Sequence, residues 1–140
     1  MNYFPDELVL KDAGMRRGNR VFLLKSSFRY FSSLGMIEVP AGTETDGASV
    51  PRAFRAIFDP FGEYFGAAVI HDFLYSPANC EFTRAEADLI FKEAMYNIGV
   101  VWYRREVIYQ AVRIFGGSFF KGRPMLGAIE MWTGHKKDKP

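Results

Sequence analysis

Three short stretches place residues of catalytic type inside otherwise apolar sequence: Thr45-Asp46-Gly47-Ala48-Ser49-Val50-Pro51, Ala67-Ala68-Val69-Ile70-His71-Asp72-Phe73-Leu74-Tyr75, and Ala87-Asp88. The adjacent His71 and Asp72 should end up at least partly buried, and burying ionisable groups without partners is costly. A metal, a substrate or a closed hydrogen-bond network would hold them.

At ~100° of rotation per residue, His71 shares a helix side with Ala67, Ile70 and Leu74, while Asp72 lies with Ala68 and Tyr75. The two side chains therefore splay. That counts against Asp72 orienting the imidazole of its own neighbour in a nucleophilic triad, but not against a shared ion reached from two directions. With Asp46 and Asp88 added, one histidine and three carboxylates make a donor set suited to Mn, Fe, Zn or Mg rather than to a thiolate-seeking ion. One carboxylate left off the metal would then activate water for attack on a phosphoester or amide. Each residue also has a purely structural explanation. His71 can be a satisfied core histidine, Asp72 can hold a backbone group, and Asp46 before Gly47 can be a turn residue. Asp88 can pair with Lys92 one turn on, and Arg52, Arg84 and Arg113 can neutralise the carboxylates without a metal. Ser49 lacks the flanking glycines of a nucleophile elbow; with Arg52 and Tyr75 it is a candidate for contacting substrate.

The elements that must position these residues change character at Pro51. Before it, Leu8-Val9-Leu10, Arg20 to Lys25, Phe28 to Phe31 and Met36 to Val39 are short β-branched or aromatic runs punctuated by Gly14, Gly18-Asn19, Ser32-Ser33 and Gly35, which predicts a small antiparallel sheet. Residues 40–51 read as a loop, with Ser49 a cap before a short helix over 51–58 that Asp59-Pro60 and Gly62 stop. An apolar helix over 63–75 ends before Ser76-Pro77. Thr83-Arg84-Ala85-Glu86 is a capping box opening a third helix that Gly99 closes. A fourth spans about Val101 to Phe115 and stops at Gly116-Gly117. The remainder reads as an irregular tail or a short helix over Met125 to Trp132, with His135 in its polar end. The fold class is α+β: a small N-terminal antiparallel sheet packed against three or four helices. One domain over 1–140 is expected, compact over about 5–117, with a tail at 118–140.

Composition narrows the setting. The chain has 140 residues, 49% of them hydrophobic, with 14 Phe and 7 Tyr, which is globular and enough for one core. A lone Cys80 offers neither disulfide nor thiolate zinc site, pointing to a reducing, cytoplasmic compartment. The first ten residues are not a secretory signal, and no apolar run reaches the ~20 residues of a membrane span. A net charge of +2 does not argue for nucleic acid, and Arg16, Arg17 and Arg20 at one end with Lys136, Lys137 and Lys139 at the other read as solvated ends.

The ordered trio Thr45 to Arg52, Ala67 to Tyr75 and Arg84 to Phe91 with Met95 resembles a phage and prophage family known as domain of unknown function 1353, over roughly residues 20–117. That resemblance implies a phage or prophage setting, either the host cytoplasm or the virion, and one shared site for Asp46, His71, Asp72 and Asp88. The His-Asp pair also resembles the signature of metal-dependent phosphohydrolases of the HD type, whose pattern includes an upstream histidine; none precedes His71 here. Two functions follow as expectations. One is a metal-dependent hydrolase built on those four residues. The other is a non-enzymatic tail-assembly or host-protein-binding component in which they form a structural network, with Phe119, Phe120, Met125, Leu126 and Trp132 a candidate contact patch.

Overall fold

The computed structural model describes residues 2–46, 49–58 and 62–124. Over these the chain is α+β as expected, with its strands first and its helices after. Strands β1 (Leu10–Arg16), β2 (Asn19–Leu24) and β5 (Glu44–Thr45) form one antiparallel sheet in the order β1-β2-β5, and β3 (Phe28–Ser32) and β4 (Gly35–Val39) form a second. The one sheet expected is thus two small ones. The break falls where β2 ends and the chain turns at residues 25–27, so that β3 faces the helices rather than extending the first sheet.

Alternation in β3 and β4 decides which side chains face inward: Phe28, Tyr30, Ile37 and Val39 are buried. They pack under helices α1 (Phe65–Tyr75) and α2 (Arg84–Ile98), with β4 against α1 and β3 against α2. The N-terminal segment covers the outer edge, where Phe4 stacks on Tyr30 at 4.6 Å and Asp6 accepts from both the backbone and the guanidinium of Arg29.

Helix α1 has no polar face, and the structure buries it continuously from Phe65 through His71. It is the central element. A 3-10 helix (Arg52–Phe58) leads into it, α2 packs along it, and α3 (Trp102–Phe115) packs on α2. Side chains such as Ile70, Leu74 and Phe91 are fully buried where these helices meet, each removing roughly 1.5–3 kcal/mol worth of apolar surface from water.

The helix ends follow their local signals. The α2 capping box is formed in both directions, with the Thr83 hydroxyl accepting from the Glu86 amide and the Glu86 carboxylate accepting from the Thr83 amide. Gly99 closes that helix at φ 102°, a left-handed conformation that disfavours side chains, and α3 begins three residues later. Helix α1 stops at Ser76, and Asn79 then organises the loop. Its amide donates to the carbonyls of Leu74 and Phe82 (2.7 and 2.8 Å), and its oxygen accepts from the amides of Glu81 and Phe82. After α3 the chain returns along this loop, with the Lys121 amide donating to the Tyr75 carbonyl and that of Arg123 to the Asn79 carbonyl. The expected helix over 125–132, His135, and the residues 47, 48 and 59–61 lie outside the described residues.

Candidate functional site: a buried polar chain

Consecutive positions on α1 send His71 and Asp72 in different directions, and the rest of the fold supplies a partner for each. Asp72 points to the loop after β5. One carboxylate oxygen accepts from the Thr45 hydroxyl, and the other accepts from the Ser49 hydroxyl and, at 3.4 Å, from the Ser49 amide. His71 points into the helix layer, its ring flanked by Phe91 and Tyr75 with centroids 4.3 and 4.2 Å away. Its Nδ1 lies 2.9 Å from Ser49 Oγ and its Nε2 lies 2.8 Å from Asp88 Oδ1. The result is one continuous chain, Asp72–Ser49–His71–Asp88, from loop to α1 to α2.

Asp88 is the anchor of this chain. Besides His71, its Oδ1 accepts from the Tyr75 hydroxyl at 2.6 Å, and its Oδ2 accepts from Arg113 Nη1 at 2.6 Å, with Arg84 Nε 3.8 Å away. Arg84 also donates to the Tyr75 oxygen at 3.3 Å and to the carbonyls of Val112 and Arg113 at the end of α3. The Val112 carbonyl also accepts from the Gly116 amide, so the guanidinium is its second donor and reinforces the end of the helix. Gly116, just beyond, brings backbone close to the site: a Cβ there would meet the Tyr75 oxygen at 2.8 Å.

The electrostatics follow from this packing. Burial pushes the Asp88 carboxyl up, but the hydrogen bonds from His71, Tyr75 and Arg113 outweigh it and leave the group below its ordinary range, so it is a carboxylate. Burial, reinforced by the Asp88 carboxylate, moves the Tyr75 phenol the other way, well above its usual range, so it remains a donor. Ser49 has one hydroxyl proton to share between Asp72 and His71. When it goes to Asp72, both ring nitrogens of His71 must carry protons to complete the chain; when it turns to Nδ1, only Nε2 must.

Ser49, His71 and Asp88 are enclosed, while Asp72 at the other end of the chain is half-buried. His71 and Asp88 are both 0% exposed and Ser49 is 5% exposed. A cleft of about 200 Å³ is lined among the described residues by Asp46, Val50, Arg55, Phe22, Phe65 and Ala68, with others of β2 and the 3-10 helix. Arg55 fixes this loop to β2 by donating to the Val50 carbonyl and to Asn19.

The structure therefore joins Ser49, His71, Asp72, Tyr75 and Asp88, with Arg84 and Arg113 as the cations. Asp46 is exposed in the cleft wall and Arg52 is exposed on the 3-10 helix. Ser49, expected as a helix cap, turns its hydroxyl to Asp72 instead. Lys92, one of the partners open to Asp88 from the sequence, reaches Glu106 of α3 at 2.8 Å instead, because Asp88 points inward and Lys92 lies toward the helix surface. Among the described residues no group of three or more His, Cys, Asp or Glu is arranged to hold a metal ion. The donor chemistry agrees: both ring nitrogens of His71 are engaged, and arginines already neutralise Asp88. Phe120 is half-buried against Tyr75, with ring centroids 5.2 Å apart, whereas Phe119 is exposed. Reasoning from sequence missed a second polar tie, in which the Tyr30 hydroxyl donates to Glu93 at 2.9 Å and accepts from Asn97 at 2.8 Å. The i, i+4 spacing of Glu93 and Asn97 on α2 was the available signal.

With its strands first and its helices after, this is a small α+β protein with an apolar core through which a buried polar chain runs from Ser49 to His71 of α1 and Asp88 of α2. The family model described as "Protein of unknown function (DUF1353)" matches residues 22–112, and the chain belongs to that family. It is also similar to "Uncharacterized protein y4jT" of Sinorhizobium fredii (strain NBRC 101917 / NGR234), 34% identical over 102 residues that make up 69% of this chain and 29% of the relative. This chain thus matches less than a third of that relative's length. No solved structure matches it. No helix among the described residues is long and apolar enough to cross a membrane.

Proposed function

We propose that this protein is a non-enzymatic binding or assembly component, of the phage or prophage setting that its motifs imply, and that Ser49, His71, Asp72 and Asp88 form its structural polar core. The observation that carries this reading is closure. His71 and Asp88 have no exposed surface, and their polar atoms are engaged by Ser49, Tyr75, Arg113 and each other. A catalytic histidine needs a path to substrate, whereas a structural one needs its partners. In this role the chain locks the loop carrying Asp46 onto the helices and so shapes the cleft that Asp46 and Val50 line.

The test compares the native protein with Ser49→Ala. The proposed role predicts that the native protein hydrolyses neither ester, amide nor phosphoester probes and that the variant loses stability. Stoichiometric labelling of Ser49 by a fluorophosphonate in the folded native protein would overturn it.

A second reading is favoured by the order of the chain itself. Ser49 hydroxyl, His71 imidazole and Asp88 carboxylate follow one another at 2.9 and 2.8 Å, as nucleophile, base and orienting acid would. Access to Ser49 would then require the 45–51 loop to open. The metal-dependent version of a hydrolase, with Asp46, His71, Asp72 and Asp88 as Mn, Zn or Mg ligands, would require His71 to release Ser49 or Asp88; elemental analysis of the purified protein tests it directly.

A further inference from the structure

The outer side of α3 is apolar where a surface helix is ordinarily polar. Tyr103, Val107 and Ile114 are 55%, 54% and 69% exposed, and Gln110, also exposed, completes their row. The positions 103, 107, 110 and 114 are spaced four, three and four residues apart, the spacing by which one helix presents a seam to another. The opposite side of the same helix, Ile108, Ala111 and Val112, is already buried in the core. Trp102, with its ring against Tyr103, widens the stripe at its N-terminal end.

We propose that this seam binds a second copy of this chain, with the two α3 helices antiparallel across a two-fold axis between Val107 and Gln110. Three features of the helix favour that occupant. In this register Tyr103 faces the partner's Ile114 and Val107 faces the partner's Gln110, so the row is complementary to itself reversed, as a two-fold interface requires. Glu106 and Arg113 flank the row on one side and keep exposed surface beyond their contacts within the chain, Glu106 with Lys92 and Gln110 and Arg113 with Asp88, so the antiparallel arrangement brings Glu106 beside the partner's Arg113, twice over by symmetry. Antiparallel packing also opposes the helix dipoles. With aromatic side chains covering ~150–250 Å² each, the exposed stripe and its flanks offer on the order of 600 Å² per copy, about 1,200 Å² for the pair, the low end of specific interfaces. Gln110, a polar residue within the seam, sets register at some cost in affinity.

Sedimentation equilibrium of the full chain over about 1–100 µM tests this. The expected result is a monomer–dimer equilibrium whose dissociation constant rises at least tenfold in Val107→Arg and, separately, in Ile114→Arg, with the far-ultraviolet circular dichroism of each variant unchanged. Both substituted side chains are exposed in the single chain, so the monomer has room for either. A native protein that is monomeric throughout, or a dimer that both variants leave intact, would overturn the proposal. A monomer whose melting temperature falls in Val107→Arg would also overturn it, since the seam would then be covered by another segment of the same chain.

Discussion

Two polar clusters tie the strands to α2, and they differ in what they ask of the fold. Near the N-terminal end of the helix, Asp88 is completely buried and gathers His71, Tyr75 and Arg113 from two other helices. Further along, Glu93 and Asn97, both only half-buried, meet the buried Tyr30 hydroxyl and the exposed Ser33 amide, so water can stand in for a lost partner on the α2 side of the contact. Both contain a carboxylate accepting from a tyrosine. The difference shows that the energetic weight of a polar contact depends less on its geometry than on whether its members have an alternative partner when it breaks.

Substitutions that remove one member at a time should separate the two clusters. Asp88→Ala should have the largest effect, a loss of about 3–5 kcal/mol in urea denaturation, because it strands His71 and Tyr75 in the interior and takes the carboxylate from half-buried Arg113; a loss near that of a surface residue would erase the contrast. Ser49→Ala takes a hydroxyl from the middle of the same chain and should cost about 1–3 kcal/mol. At the other cluster, Glu93→Gln keeps an acceptor for Tyr30 and should cost about 1 kcal/mol or less, and a larger loss would make the two ties equivalent.

Acid should act on the first of them more gently. The folded pKa of Asp88 is below its unfolded value, so its contribution is present above the unfolded carboxylate range and disappears as pH falls through the lowered folded value. Stability measured from pH 5 downward should therefore fall more steeply in the native protein than in Asp88→Asn.

What sequence reasoning recovered was governed by neighbours along the chain. The Thr83–Glu86 capping box and the Gly99 stop each complete themselves within four residues, so their chemistry is visible without knowing the fold. The splay of His71 from Asp72 likewise follows from helical rotation alone. What it did not recover was set by distant residues. Asp88 reads as a half-exposed helix residue beside Lys92, and only the arrival of Arg113 from α3 and His71 from α1 makes its full burial tolerable. The role of Ser49 depends on β5 delivering the loop to Asp72, 23 residues later in the chain. The division of the strands into two sheets depends on where the helix layer sits, which no strand signal encodes.

Gly116 gives the site a mechanical sensitivity out of proportion to its size. It contributes no functional atom, yet its missing Cβ leaves the clearance in which the Tyr75 phenol reaches Asp88. A single methyl group at this position, 28 residues beyond Asp88 in sequence and outside every charged contact, would press on the phenol before it met anything else. The end of α3 therefore acts as a gauge block for the polar chain: the spacing of the buried acid and its donors is calibrated by the absence of a carbon atom.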